Sequence, residues 1–229
     1  MKSALSSNWT LHWLQASGDL SDFQSAIADQ IALAQQTIEK LLPTSALDIL
    51  VQYLPGEVIP EMGLLGRAHR SNLFSLTLDP SNPNFACSLN NGALLRQIIH
   101  EAHHCMRMAG PGYGHTLGES LVSEGLAGHF VSHLLNSGPE PWERAINLQT
   151  LRNAPPEFWL LNRRDYDHAA WFFGTTKDFP RWLGYSLGYQ LVGQWLEESV
   201  SMSAEEWISV SAETVIAAGV RVGLISCDT

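Results

Sequence analysis

Two histidines with a glutamate between them place the strongest constraint on how this chain can fold. The segment His100-Glu101-Ala102-His103-His104 has the pattern HExxH. Residues four apart lie on one face of a helix, so the imidazoles of His100 and His104 can reach a single metal ion. Glu101 lies about 100° further around the helix, where its carboxylate can take a proton from a metal-bound water. The motif therefore requires a helix and predicts a metal site on one of its faces.

The residues around the motif are amphipathic in the way that such a helix requires. A helix is predicted from Asn90 or Asn91 to about Met108, and Gly110-Pro111-Gly112 ends it. Gln97 shares the stripe of His100 and His104, and the opposite stripe is apolar, with Leu95, Ile98, Ile99, Ala102 and Met106. We therefore expect one side of this helix to pack on a core and the other to present both histidines.

A catalytic zinc ion usually has three protein ligands and a water molecule, and the next predicted helix supplies a candidate for the third ligand. This helix runs from Leu117 to Leu135, and Glu124 lies twenty residues after His104. Glu124 falls within an apolar stripe, where an unpaired carboxylate would be costly to desolvate. Glu124 is the predicted ligand, and Glu119 and His115 are the alternatives because spacing alone does not place the loop between the helices.

Two tyrosines are candidates for stabilising the oxyanion that forms when water attacks a carbonyl group. Tyr185 and Tyr189 lie one helical turn apart, and each follows a glycine that allows close approach of backbone or substrate. Packing of an aromatic core explains either tyrosine equally well. His103 is expected to support the ligand face or simply to pack beside it. The remaining interpretations are a core position for Cys105 and a surface or rim position for His129 and His133.

The pattern along the chain predicts an α+β fold, with a small N-terminal sheet and a long helix followed by a mainly helical half that carries HExxH. The elements expected before residue 90 are a helix from Asp19 to Leu42, a strand from Asp48 to Leu54, a turn between Gly63 and Gly66, and a half-buried strand from Leu73 to Asp79 that could offer an open edge to a peptide. SNPNF is expected to form a turn. Residues 141–180 look irregular, one helix is expected at 182–198, and another begins near Ser203. A single domain is predicted over residues 1–229, with 1–90 as the sheet part and 91–229 as the helical part.

Charge and cysteine usage exclude several classes of partner and compartment. The chain has 23 acidic and 13 basic residues, a net charge of -10, which is unfavourable for nucleic acid and for anionic membrane surfaces. It lacks both a long apolar run and the apolar core of a signal peptide. Its three cysteines are outside any CxxC spacing, as is typical of a reducing cytoplasm. We therefore expect a cytoplasmic protein; its oligomeric state does not follow from the sequence.

With these motifs in view, the chain resembles the bacterial family of predicted zinc-dependent protease domains, whose members are similar to gluzincin metallopeptidases. The resemblance covers about Leu73 to Leu196, and it rests on the segments SLTLDPSNPNF, IIHEAHHCMR, ESLVSEGLAGHF, WFFG and PRWLGYSLGYQLV. It implies a zincin-like fold, Zn²⁺ bound by His100, His104 and Glu124, and a catalytic Glu101. It also implies a role for the GYSLGY segment, through Tyr185.

One position departs from the better-known gluzincins, which often carry an acid four residues after the glutamate ligand to orient a histidine ligand. That position is Gly128. Asp165 and Asp167 are the candidates for the missing acid, and a backbone carbonyl is the alternative.

The function expected from these residues is hydrolysis of peptide bonds in peptides or unfolded proteins, by attack of a zinc-bound water that Glu101 assists. Two alternatives remain open at this point. One is a non-catalytic, metal-stabilised module that binds a peptide or protein, and the other is a zinc-dependent hydrolase of small amides.

Overall fold

The computed structural model describes residues 8–199 and 201–227. The chain forms two compact units, the first ending at Ala109 and the second beginning at Gly110. The first unit holds a sheet with helices, and the described part of the second consists of helices and loops. The predicted α+β class is confirmed.

The first unit is built on a four-stranded sheet with the strand order β1-β2-β4-β3. The strands are Trp9–Leu14 (β1), Leu47–Tyr53 (β2), Leu64–Arg70 (β3) and Leu73–Leu78 (β4). β1 pairs with β2 and β2 with β4 in parallel, whereas β3 pairs with β4 antiparallel. A helix connects β1 to β2, as parallel neighbours require, and a tight hairpin connects β3 to β4.

The strand that was expected to offer an open edge lies inside the sheet. The strand predicted at Leu73–Asp79 exists as β4, but it lies between β2 and β3, so the prediction of an open edge there is wrong. Its polar Ser75 and Thr77 are buried as well, because both faces of a central strand are covered. The edge strands are β1 and β3, and β3 begins where a turn was expected. The exposed Arg67 illustrates why: an edge strand with charged side chains lacks the apolar alternation that predicts a strand.

Three helices complete the first unit: Gln24–Glu39 (α1), Phe85–Asn90 (α2) and Ala93–Met108 (α3). The first of these is shorter than predicted because a 3₁₀ turn precedes it. α2 lies where the sequence predicted the end of a turn and the start of the next helix. α3 begins after Gly92, whose φ of 85° is left-handed, and the Asn91 side chain accepts a hydrogen bond from the Ala93 N–H at 3.0 Å. α3 packs on β3, on β4 and against α1.

The second unit contains the helices Leu117–Leu135 (α4), Leu148–Asn153 (α5), Phe158–Leu161 (α6), His168–Phe173 (α7), Leu183–Glu198 (α8), Glu206–Ser209 (α9) and Ala212–Arg221 (α10). α4 has the predicted bounds, and α8 begins one residue later than predicted. Three short helices lie in the segment 141–180, which was expected to be irregular. Within the described residues, none of these or the preceding helices has the length and apolar character needed to cross a membrane.

α4 and α8 form the centre of the second unit, and their backbones touch. A Cβ atom added to Gly125 on α4 would overlap the carbonyl group of Gly188 on α8, and one added to Gly188 would overlap the carbonyl oxygen of Leu121. Side chains from both helices and from α10 surround this contact as one apolar core. The position of α4 in this unit therefore depends on two glycines.

Candidate metal centre

α3 brings both motif histidines together at its polar face. The Nε2 atoms of His100 and His104 lie 2.9 Å apart, and their rings meet edge to face with centroids 4.6 Å apart. His104 is buried and His100 is half-buried. Two ring nitrogens this close together can bind the same metal ion.

Glu101 occupies a narrow space between its own helix and β3. Gln97 Nε2 donates a hydrogen bond to Glu101 Oε1 at 2.6 Å, and only 4% of Glu101 is exposed. Gly66 of β3 faces this pair: a Cβ at position 66 would lie 2.6 Å from Glu101 Oε1 and 2.7 Å from Gln97 Nε2. Glu101 and Gln97 can adopt this arrangement because position 66 has no side chain.

In the second unit, Glu124 is buried on α4 and held by a tyrosine. Tyr113 Oη donates a hydrogen bond to Glu124 Oε1 at 2.6 Å. Ser123 Oγ donates to the carbonyl oxygen of Tyr113, also at 2.6 Å, so the tyrosine is fixed at its backbone and at its hydroxyl. Burial, together with the charge of Glu124, raises the pKa of the Tyr113 hydroxyl well above its ordinary value. Tyr113 therefore keeps its proton and donates a hydrogen bond to the carboxylate.

The carboxylate of Glu119, the alternative ligand, takes part in capping the N-terminus of α4. Its carboxylate accepts hydrogen bonds from the N–H groups of His115 at 2.7 Å and Thr116 at 2.9 Å, and Thr116 Oγ1 accepts one from the Glu119 N–H. This is a complete capping box. The hydrogen bond from the His115 N–H is the largest cause of a lowered pKa for Glu119. Glu119 is accordingly a charged helix cap.

The three predicted metal ligands lie close together. His100, His104 and Glu124 each offer one ligand atom, and these atoms all lie within 4.8 Å of one another. Among the described residues, neither Glu119 nor His115 takes part in such a group. Two imidazole nitrogens and one carboxylate oxygen are a donor set that catalytic zinc takes in proteins. The residues present fit a zinc ion in chemistry and in proximity.

The two candidate tyrosines of α8 have different surroundings. Tyr185 packs edge-on against Phe172 at 5.1 Å between ring centroids, and its charge contributes to the raised pKa of Tyr113. Tyr189 instead stacks on His129 at 3.8 Å, and His129 Nε2 lies 2.8 Å from the Tyr189 carbonyl oxygen. Burial lowers the pKa of His129 to about 4. Both tyrosines pack on aromatic rings of their own unit, and Tyr185 also lies near Tyr113, the residue that holds Glu124.

The other residues that were singled out by spacing have structural surroundings. His103 is fully buried beside His104, and burial raises the pKa of the Cys105 thiol to about 12, which agrees with a core position. His133 is exposed and its ring lies over Trp207, whereas His129 is half-buried under Tyr189 rather than at the surface.

The candidates for the missing acid near Gly128 are occupied elsewhere. Asp165 pairs with Arg163 at the surface, and Asp167 accepts the Ala170 N–H at 3.0 Å as the N-cap of α7. Glu143, which is 3% exposed, fills the space beside Gly128 instead: a Cβ at position 128 would overlap its carboxylate. Position 128 leaves room for the Glu143 carboxylate because it has no side chain.

Sequence reasoning also missed Gly66 and Tyr113. No motif marks Tyr113, which lies in the loop whose conformation spacing could not predict. Gly66 had a usable signal, because a glycine inside a strand often marks a close approach by another group.

Comparison with known proteins gives one positive finding. The model of a protein family described as "Predicted Zn-dependent protease (DUF2268)" matches residues 55–217. Neither the curated proteins nor the solved structures contain a match.

Proposed function

The chain belongs to the family of predicted zinc-dependent proteases, and from this premise we propose that it hydrolyses peptide bonds, with His100, His104 and Glu124 holding zinc and Glu101 as general base. The observation that carries the proposal is the proximity of the three ligand atoms, within 4.8 Å of one another, beside a buried glutamate on the same helix as both histidines. The gluzincin class, defined by HExxH and a downstream glutamate ligand, is part of this proposal.

Zinc, when bound, supplies a Lewis acid and brings the pKa of a water that it holds to about 7. Glu101 then moves one proton. Its Oε1 atom accepts the hydrogen bond from Gln97, which leaves Oε2 as the atom that exchanges the proton. Oε2 takes a proton from the attacking water while the new C–O bond forms at the carbonyl carbon. It returns this proton to the amide nitrogen as the C–N bond breaks, giving an acid and an amine.

We propose Tyr185 as the hydroxyl donor to the developing oxyanion, with Tyr189 as the second candidate. Support for Tyr185 comes from its proximity to Tyr113, the residue bonded to Glu124, since the ionised form of Tyr185 would raise the pKa of Tyr113 further. Tyr189 has its ring stacked on His129 and its hydroxyl 3.4 Å from Ser132 Oγ, so it is engaged in packing within its own unit.

A peptide or an unfolded protein segment is the proposed substrate, and β3 supports this choice. β3 is an edge strand: β4 pairs along one side of it, and Ile59 forms an isolated bridge to Leu64 at its first residue. Extended peptides bind to such edges through main-chain hydrogen bonds. Gly66, in the middle of this strand, abuts Glu101, so a peptide paired with β3 would run close to the general base.

We also propose a cytoplasmic location. Its support is that Cys87, Cys105 and Cys227 form no disulfide with one another, as is usual in reducing compartments.

The test uses purified protein, its metal content and two classes of substrate. We expect about one zinc ion per chain, cleavage of a peptide library, loss of cleavage after chelation, and recovery when zinc is returned. Cleavage of simple acyl amides alone would contradict the peptidase proposal in favour of a small-amide hydrolase. Peptide binding without cleavage by the zinc-loaded protein would contradict it in favour of a binding module.

A further inference from the structure

We infer that Tyr113 is a positioning residue for the metal centre, which fixes the carboxylate of Glu124 in the orientation that binds zinc. The inference rests on the proposed function, because it takes Glu124 as a zinc ligand. It adds a residue that neither the HExxH pattern nor the family description marks.

The hydrogen bond from Tyr113 Oη to Glu124 Oε1 is the central observation. At 2.6 Å it is short, as charge-assisted bonds from a hydroxyl group to a carboxylate are. A glutamate side chain has three rotatable bonds, and only a few of its conformers bring a carboxylate oxygen to a given point. A donor that holds one carboxylate oxygen excludes most of the other conformers. The conformational entropy is then lost before the metal binds, so metal binding costs less free energy.

The loop that carries Tyr113 is itself fastened to the first turns of α4. Ser123, the residue before Glu124, is fully buried and donates to the Tyr113 carbonyl oxygen. One turn earlier, the Glu119 carboxylate accepts from the N–H groups of His115 and Thr116. Gly114 has a left-handed φ of 108°, and a Cβ there would overlap the Glu119 side chain.

These contacts explain why the loop follows its path and why the phenol reaches Glu124. The backbone of Tyr113 is held at the turn of α4 from which Glu124 projects, so the hydroxyl position is set by the same helix as the carboxylate. Groups that hydrogen-bond to metal ligands typically change metal affinity by about 10- to 100-fold when they are removed.

The experiment measures zinc affinity by competition with a chromogenic chelator, a readout that does not require turnover. Tyr113→Phe keeps the ring and removes only the donor, and we expect the zinc Kd to rise about 10- to 100-fold. Tyr53→Phe, on β2 of the first unit, is the control. The Tyr53 ring lies beside Gly18, so the loss of its hydroxyl should leave the zinc Kd essentially unchanged.

A double-mutant cycle separates positioning from general damage to the loop. If Tyr113 acts through Glu124, then Tyr113→Phe should cause little further loss of affinity in a Glu124→Gln background. An equal loss in both backgrounds would overturn the inference, as would wild-type affinity in Tyr113→Phe. Should Tyr113→Phe fail to fold, Ser123→Ala tests the same point by loosening the backbone of Tyr113, and unchanged affinity there would overturn it.

The inference and the proposed function fail in different ways. Zinc bound by the wild type and by Tyr113→Phe with the same Kd overturns the role of Tyr113 alone. A wild-type protein that takes up no zinc overturns both.

Discussion

The two helices that carry the proposed zinc ligands, α3 and α4, differ in what positions these side chains. On α3, His100 and His104 are four residues apart, and so are Gln97 and Glu101. Helical periodicity alone therefore places the members of each pair side by side. On α4, Glu124 stands alone and is held by a tyrosine that lies outside the helix. A short-range pattern therefore encodes the first group, whereas the second depends on how a loop returns to its helix.

The two helices also differ in what packs against them. A side chain at Gly66 would meet other side chains, those of Glu101 and Gln97, which can move. A side chain at Gly188 would meet the backbone of α4, which cannot move without shifting the helix. Damage near α3 should accordingly reduce catalysis, and damage near α4 should reduce stability.

The largest expected effect is the loss of the general base on α3. Glu101→Gln keeps the hydrogen bond with Gln97 possible but cannot accept a proton. We expect kcat for peptide cleavage to fall by about 10²- to 10⁴-fold, with the zinc content unchanged. Kinetics and metal analysis on the same sample measure both. A variant that loses zinc as well would place Glu101 among the ligands and remove the distinction between the two roles.

The next effect concerns the choice of ligand on α4. Glu124→Gln should weaken zinc binding by more than about 100-fold, since a direct ligand contributes more than its hydrogen-bond partners do. Glu119→Gln is the matched control: it should leave zinc affinity intact and cost about 0.3–1 kcal/mol of stability, because glutamine can still cap the helix but no longer carries a negative charge at its N-terminus. Chelator competition and thermal unfolding separate the two results. A larger loss of zinc affinity in Glu119→Gln than in Glu124→Gln would reverse the assignment.

A smaller loss of activity is expected from Gly66→Ala. The new methyl group must displace the Glu101 carboxylate, and a shift of about 1 Å at a catalytic group can cost up to about 10²-fold in rate. Stability should change by less than about 1 kcal/mol, because the neighbours are side chains. In a Glu101→Gln background the same substitution should have no further effect on cleavage. A large loss of stability with normal kcat would show that β3 supports α3 structurally and not the position of Glu101.

The smallest effect, and one on stability alone, is expected at the glycines of α8. Gly188→Ala drives a methyl group into the backbone of α4, and overpacking of this kind costs about 1–3 kcal/mol. Gly193→Ala, on the same helix, meets only the His129 ring at 3.4 Å and should be neutral or stabilising by up to about 1 kcal/mol. Denaturant unfolding of both variants gives the difference. Equal stabilities would mean that α8 can move away from α4 at no cost.

The same contrast explains what could be predicted from the sequence. The bounds of α4 and the C-terminal end of α3 followed from periodicity and end signals, since a helix is determined by neighbours within a few residues. β3 was missed because its charged edge residues hide the alternation of a strand. The helical turn of α2 was missed because Pro and Asn before it indicate a turn.

Within the candidate site, the limit of sequence reasoning is the tertiary contact. Neither Tyr113 at Glu124 nor Glu143 beside Gly128 lies at a spacing that helical or strand geometry relates to its partner. In both places the chain returns through a loop, and loop paths depend on hydrogen bonds that form only after the helix exists. The glycines at positions 66 and 128 are the sequence signals of close side-chain contacts.

The backbone contact of α4 with α8 sets the spacing of these two helices. Where two helices are separated by side chains, rotamer changes can alter their spacing and let one slide past the other. Here the two backbones are in contact, because Gly188 lies against the carbonyl group of Leu121 and against Gly125. The relative position of Glu124 and Tyr185 along the two helices therefore depends on this pairing of glycines. A shift of α8 by one residue would bring a side chain into the contact and overpack it.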